Sequence, residues 1–274
     1  MASKHSSPRT AVRCSRLQRL KKLIRGAARP CTLKAQSPVK LPRVIVRDNP
    51  DSYVLIAQHD HGRISGQFAK HWRERPTPLE PTLYAIANHD VAWQKLDKIV
   101  RWDETTGRPY SFADYPLEPK MEAYRDGLDF LVTEDPYAAY LCSMHYASFV
   151  RDAESAAERR FREGEDRRQE RLKGAMSARE LEHLERNFRL LRTCDNLSLF
   201  VCLNEPGRSD HPWYTNGFEF MGTRLEPVWE DRRTLRLNPN PLSGAFDLSI
   251  PYLSVGKDRR PLGSGRLALR VVTL

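Results

Sequence analysis

The sequence predicts a mainly α protein of the α+β class, a helical bundle carrying a small antiparallel β layer built from an N-terminal hairpin and the C-terminal region. Three observations carry that expectation. Apolar residues recur at helical spacing through most of residues 59 to 204. Residues 205 to 274 hold seven prolines and strand-like pieces such as "TLRLNP", "AFDLSIPYL" and "RLALRVVTL". Near the start, "RVIVRDNPDSYVLIAQ" sets two β-branched runs around Asp48-Asn49-Pro50-Asp51, a hairpin signal.

In chain order, the hairpin is followed by a helix from about Asp60 to Trp72, with Ile64, Phe68 and Trp72 on one face. "RERPTPLEP" breaks it, and a second helix starts at Pro81 or Thr82 and runs through Leu83, Ile86 and Val91 toward Leu96. "RWDETTGRPYSFADYPLEP" reads as a loop with a Thr-Gly-Arg-Pro turn. Helices follow over Lys120 to Val132 and Pro136 to Val150. A charge-dense helical arm comes next, interrupted near Gly174, and then a core helix ending around Leu203. The β layer completes one domain over 44 to 274, with a helical core at about 59 to 204 and a β-rich part at 205 to 274.

The net charge of +10 is uneven. Residues 1 to 47 hold thirteen of the 45 Lys and Arg and no acid, which leaves a net −3 for the rest. Residues 1 to 43, rich in Ser, Arg and Lys, read first as a disordered extension or the product of an upstream start, and second as a targeting or nucleic-acid arm. The mildly acidic body argues against nucleic-acid binding by the folded domain. No window approaches 18 uninterrupted apolar residues, so no membrane span is expected. Cys14, Cys31, Cys142, Cys194 and Cys202 are odd in number and lack C-x-x-C spacing, which fits a reducing cytoplasm.

Chemistry concentrates where polar residues intrude on apolar helices. His59, Asp60 and His61 open the first helix, His89-Asp90 sits in "YAIANHDVAW", His145 in "YLCSMHYASF" and Asp195 in "LLRTCDNLSLFVCL". An ionised carboxylate in such a setting needs a partner or a cation. Four intrusions on four helices suit a shared metal centre, with separately satisfied core residues as the alternative. Residues i and i+2 diverge by about 200° on a helix, so His61 is the better ligand candidate, and His59 is left as a catalytic or second-metal candidate. His145 reads equally as a further ligand or a satisfied core histidine.

The order His61, His89-Asp90, Asp195 resembles the HD superfamily of metal-dependent phosphohydrolases. From Val44 on, "VIVR", "QHDHGRISGQFAKHW", "HDVAW", "TGRPYSF", "DPYAAYLCSMHYA" and "DNLSLFVCL" are similar to an uncharacterised bacterial family of unknown function, number 3891. The resemblance implies an HD-like helical core and a candidate site: metal ligands His61, His89, Asp90, Asp195 and His145, with Asp90 or His59 in catalysis. It supplies no activity.

Imidazole and carboxylate suit Mn, Fe, Ni, Zn or Mg without selecting one. Arg63, Lys95 and Arg108 are the basic residues near the motifs and the candidates for binding phosphate. The expected function is metal-dependent hydrolysis of a phosphorylated small molecule or nucleotide. The alternative is a non-catalytic binding module, with the charged arm Arg159 to Arg186 docking a protein partner. Phosphate loops and the G-x-S-x-G elbow are absent from the sequence.

Overall fold

The computed structural model describes residues 44–273. The expectations for the basic segment 1–43 lie outside the described residues. The chain runs through β1 (Ile45–Asp48), β2 (Ser52–Ile56), α1 (Gln58–Lys70), α2 (Leu79–Asn88), α3 (Trp93–Leu96), β3 (Trp102–Asp103) and β4 (Arg108–Pro109). It continues through α4 (Leu117–Glu134), α5 (Pro136–Phe149), α6 (Ala156–Lys173) and α7 (Ala178–Leu203). After a 3-10 turn at Pro212–Tyr214 come β5 (Phe218–Phe220), β6 (Thr223–Trp229), β7 (Thr234–Asn238), β8 (Phe246–Gly256) and β9 (Pro261–Val272).

The β part corrects the expected fold class. Helix makes up 46% and strand 23% of the described residues, and seven of the nine strands form one sheet curled into a half-barrel rather than a small layer on an HD-like bundle, while β3 and β4 pair separately. Its order is β1-β2-β8-β9-β7-β6-β5. It is also not wholly antiparallel, because β7 pairs with β9 in parallel. The N-terminal hairpin enters this sheet through β2, whose Ser52 to Leu55 pair with Gly256 to Leu253 of β8.

Prolines and glycines hid the size of the sheet. Pro251 lies in β8 ahead of the segment that β2 pairs, and Pro227 lies in β6 past the segment that β5 pairs. Both therefore occupy stretches with an open edge on one side, where a strand tolerates a missing N–H. Gly263 and Gly265 likewise read as breaks but sit within the twelve-residue β9.

Local chemistry explains the helix starts. At α5 the Asp135 carboxylate accepts from the Ala138 N–H at 2.8 Å, with Pro136 in the first turn. Ser155 with Glu158, and Ser177 with Glu180, form reciprocal capping boxes at α6 and α7. Such caps each contribute about 1 kcal/mol. Helix α1 has no side-chain cap of its own at Ala57. Instead Asp97, from beyond α3, accepts from the His59 N–H at 3.4 Å.

Helices α1 and α7 lie on the sheet. Phe68 of α1 meets Phe246 edge-on at 5.5 Å, and Phe200 of α7 packs against Phe218 and Trp229. Helix α2 approaches α1 over a notch made by Gly62 and Gly66, one turn apart and both facing Ala87. A Cβ on Gly66 would lie 2.7 Å from the Ala87 Cβ, so only glycine permits this spacing. The second helix ends at Asn88, earlier than its apolar pattern suggests, and His89 and Asp90 fall in the turn before α3.

Substitution tests the notch. Gly66→Ala should destabilise the chain by about 1–3 kcal/mol through overpacking. Gly164→Ala, at a helical position of α6 with open space around it, should instead stabilise by about 0.4–1 kcal/mol. Denaturant unfolding of both variants checks the pair, and equal effects would refute the close-approach account.

Candidate metal centre

His61 is in the first turns of α1, His89 and Asp90 follow α2, His145 is on α5 and Asp195 on α7. All five are buried, and the three histidines are at most 2% exposed. The Asp195 Oδ1 lies 2.9 Å from the His61 Nε2 and 3.3 Å from the His89 Nε2. The Asp90 Oδ2 lies 3.5 Å and 3.6 Å from the same two nitrogens, which are 3.2 Å apart. The other oxygen of Asp195, Oδ2, is 3.9 Å from the His145 Nε2. The structure therefore brings together the five residues read from sequence as ligands.

Hydrogen bonds behind the rings fix which nitrogen faces the centre. The His89 Nδ1 donates to the Ile86 carbonyl at 2.8 Å. The His61 Nδ1 is in contact with the Ser198 Oγ, which also donates to the His61 carbonyl at 3.0 Å and accepts from the Ser65 Oγ at 2.9 Å. This network assigns the Nδ1 proton to each neutral ring and leaves both Nε2 lone pairs aimed at carboxylate oxygens. Two imidazole nitrogens 3.2 Å apart, each within 3.6 Å of two carboxylate oxygens, require a cation or a proton between them.

The donor set fits a divalent ion. Two imidazole nitrogens and two carboxylate oxygens suit a borderline metal. Bonds of about 2.1 Å around one centre place neighbouring donors about 3.0–3.4 Å apart, close to the separations found. His89, His145 and Asp195 form a second group of adjoining donor atoms, joined to the first through His89 and both oxygens of Asp195. The hydrogen bonds behind His61 and His89 are the orienting contacts that ligand histidines use.

Charge follows from these contacts. Burial opposes a charge on His89, but the Asp90 carboxylate and the bond to Asp195 outweigh it and bring its pKa up to about 9. Burial would also raise Asp195, yet its bonds to His61 and His89 hold it well below the usual carboxylate range. Asp90 is pushed up by burial against the pull of His89 and His61. His145, driven down to about 3 by burial, is neutral. Burial likewise raises the Cys142 thiol, whose Sγ points to the Ala85 carbonyl at 3.6 Å, so it does not pair with His145 as a nucleophile.

A cavity of about 580 Å³ opens onto Asp90, His145 and Asp195. The basic residues read from sequence stand elsewhere. Arg108 pairs with Asp48 at 2.7 Å, Lys95 pairs with Asp126, and Arg63 is exposed beside His59, none of them lining this cavity. His59 turns away from the centre and contacts Gln94 at 3.1 Å. The cations that do line the cavity are Lys120, Arg151 and Arg192. Arg192 carried a readable signal, lying one helical turn before Asp195 on α7, as did Ser198 one turn after it. Lys120 and Arg151 carried none.

An α+β protein with a buried histidine-carboxylate centre, set between helices on a curled sheet, is the class that fold and site define. The chain belongs to the family described as "Protein of unknown function (DUF3891)", whose model matches residues 44–257. No curated protein and no solved structure matches the chain.

The pH behaviour of the metal-free chain follows from His89. Because its pKa rises from 6.5 to about 9 on folding, its stabilising contribution is full below about pH 6.5 and is lost as pH climbs through about 9. A divalent ion held by these residues would take the place of that proton, so its uptake near pH 7.5 should release one, and affinity should rise toward pH 9. Calorimetric metal titrations in two buffers of different ionisation enthalpy measure the release. Identical heats would count against it.

Proposed function

We propose that this protein is a metal-dependent phosphohydrolase acting on a phosphate ester of a small molecule or nucleotide. The convergence of His61 and His89 on Asp90 and Asp195, two carboxylates that line a cavity, carries the reading. The order of those ligands along the chain, which resembles the HD enzymes, supports it independently of how the surrounding β structure is built.

Bound at these residues, Mn, Fe, Ni, Zn or Mg would supply a water of lowered pKa and polarise a phosphoryl oxygen. The chain's own groups do the remaining work. Ser198, Ser65 and the Ile86 carbonyl orient the two rings. The Asp90 Oδ1, 3.5 Å from the Tyr146 hydroxyl, is the carboxylate oxygen placed to accept a proton from an attacking water. Lys120 and Arg192 neutralise phosphate charge from the cavity wall.

The test is metal content by elemental mass spectrometry on the full chain, together with hydrolysis of p-nitrophenyl phosphate and bis-p-nitrophenyl phosphate. Near-stoichiometric metal is expected in the wild type, with loss of both metal and turnover in His61→Ala and Asp195→Ala. Asp90→Asn should lower kcat by at least about 100-fold. Wild-type protein that takes up no metal after reconstitution, or turnover that survives Asp195→Ala, overturns the proposal.

A further inference from the structure

The cavity above the centre carries more than charge. Lys120, Arg151 and Arg192 line the cavity and have no carboxylate within ion-pair distance among the described residues. Glu158, which shares the wall with Lys120, is committed to backbone N–H groups of Ser155 and Glu154 at 2.8 and 3.1 Å. Asp152 is the remaining acid at the rim. Unpaired cations facing a metal-type centre are what an anionic group would neutralise.

The same wall carries exposed aromatics. Three aromatic side chains are counted among the large exposed hydrophobics of the described residues, Phe130, Phe149 and Trp213, and two of them line this cavity. Trp213 is 56% exposed and is held edge-on by Phe112 at 5.8 Å. Phe149 is 55% exposed and stands edge-on to the His145 ring at 4.6 Å. Aromatic surface left in water beside a polar centre is unfavourable unless a ligand covers it. Each ring is also fixed by a neighbouring ring, so little ordering entropy is lost on stacking.

A third observation points into the same space. Gln58 lines the cavity at 4% exposure, and its buried side-chain carbonyl has no hydrogen-bond partner among the described residues. A buried amide of this kind costs free energy until a donor or acceptor reaches it. It is a polar contact available to a ligand that enters beside Asp90.

We propose that the cavity selects phosphate esters whose other half is a flat aromatic group, an aryl ring or a nucleobase, with the phosphate held by Lys120 and Arg192 and the ring against Trp213 and Phe149. This rests on the reading of the centre as a phosphoester site. The volume of about 580 Å³ lies in the range of sites that enclose small organic ligands.

Binding, not turnover, tests it. Methylphosphonate and phenylphosphonate, neither of which can be hydrolysed as an ester, are titrated calorimetrically into the Mn-loaded full chain. Phenylphosphonate should bind at least about ten-fold tighter, since a stacked ring contributes about 1–3 kcal/mol. Trp213→Ala should bring the ratio of the two dissociation constants close to one, while Trp213→Phe should keep most of it. Arg192→Gln should weaken both ligands together. A parallel pair, the non-hydrolysable phosphonate analogues of AMP and of ribose 5-phosphate, separates the two sources of the ring: preference for the AMP analogue assigns a nucleobase, and a phenyl preference without it assigns an aryl group.

Equal affinities in the wild type overturn the proposal, as does a preference that survives Trp213→Ala and Phe149→Ala, or no binding of either phosphonate. Its failure is separable from that of the hydrolase reading. Aromatic preference without turnover of the matching esters removes hydrolysis alone, and turnover without preference removes the aromatic subsite alone.

Discussion

The structure is organised around one costly act, the burial of the Asp195 carboxylate among imidazoles. A carboxylate removed from water costs several kcal/mol unless charge and hydrogen bonds answer it. Here His61 answers it from α1 and His89 from the turn that ends α2, and His145 faces its second oxygen from α5. Each of those helices must therefore stop at a fixed distance from α7. The glycine notch of α1 against Ala87 sets the distance between the first two. The serine pair Ser65 and Ser198 ties α1 to α7 directly.

The sheet belongs to this constraint and is not an appendage to it. Strand β2 leads into α1 through Ala57 alone, so the position of His61 is fixed five residues after Ile56, the strand's last buried residue. Strand β8 then supports both, pairing with β2 and placing Phe246 under Phe68. At the same junction Asp97 receives the first N–H groups of α1. Burial drives its pKa well above the usual carboxylate range, since its hydrogen bond to His59 only partly offsets the cost. A carboxyl biased toward its neutral form at this point caps the helix with less added negative charge beside Asp90.

The ligands were legible in the sequence because a polar residue in an apolar helix is anomalous on any account, and His61, His89, Asp90, His145 and Asp195 are all anomalies of that kind. The size of the sheet was not, because Pro227, Gly263 and Gly265 interrupt the alternation that marks strands while sitting where the ladder tolerates them. Proximity in sequence points to Arg63, Lys95 and Arg108, none of which lines the cavity. Arg63 follows His61 by two residues and so faces about 200° away on the same helix. Arg192, by contrast, precedes Asp195 by three and shares its face, so periodicity and not proximity was the usable signal. Trp213 and Phe149 come together only through tertiary packing, which no local pattern encodes.

Long-range charge does little to recruit an anion to this site. Residues 48 to 274 carry a net −3, so an anionic ligand approaching the folded body meets weak repulsion beyond a screening length of about 8 Å. The attraction starts inside the cavity, where Lys120, Arg151 and Arg192 lack carboxylate partners and solvent screening is reduced. Discrimination must then come from contacts made after entry: the donor atoms at the floor, the cations on the wall, and the two aromatic rings. A site built this way favours small ligands that fit all three over polyanions that would be captured by surface charge alone. The same separation explains why the five buried polar residues are so tightly oriented. With no steering field outside, binding energy has to be generated by pre-formed geometry within.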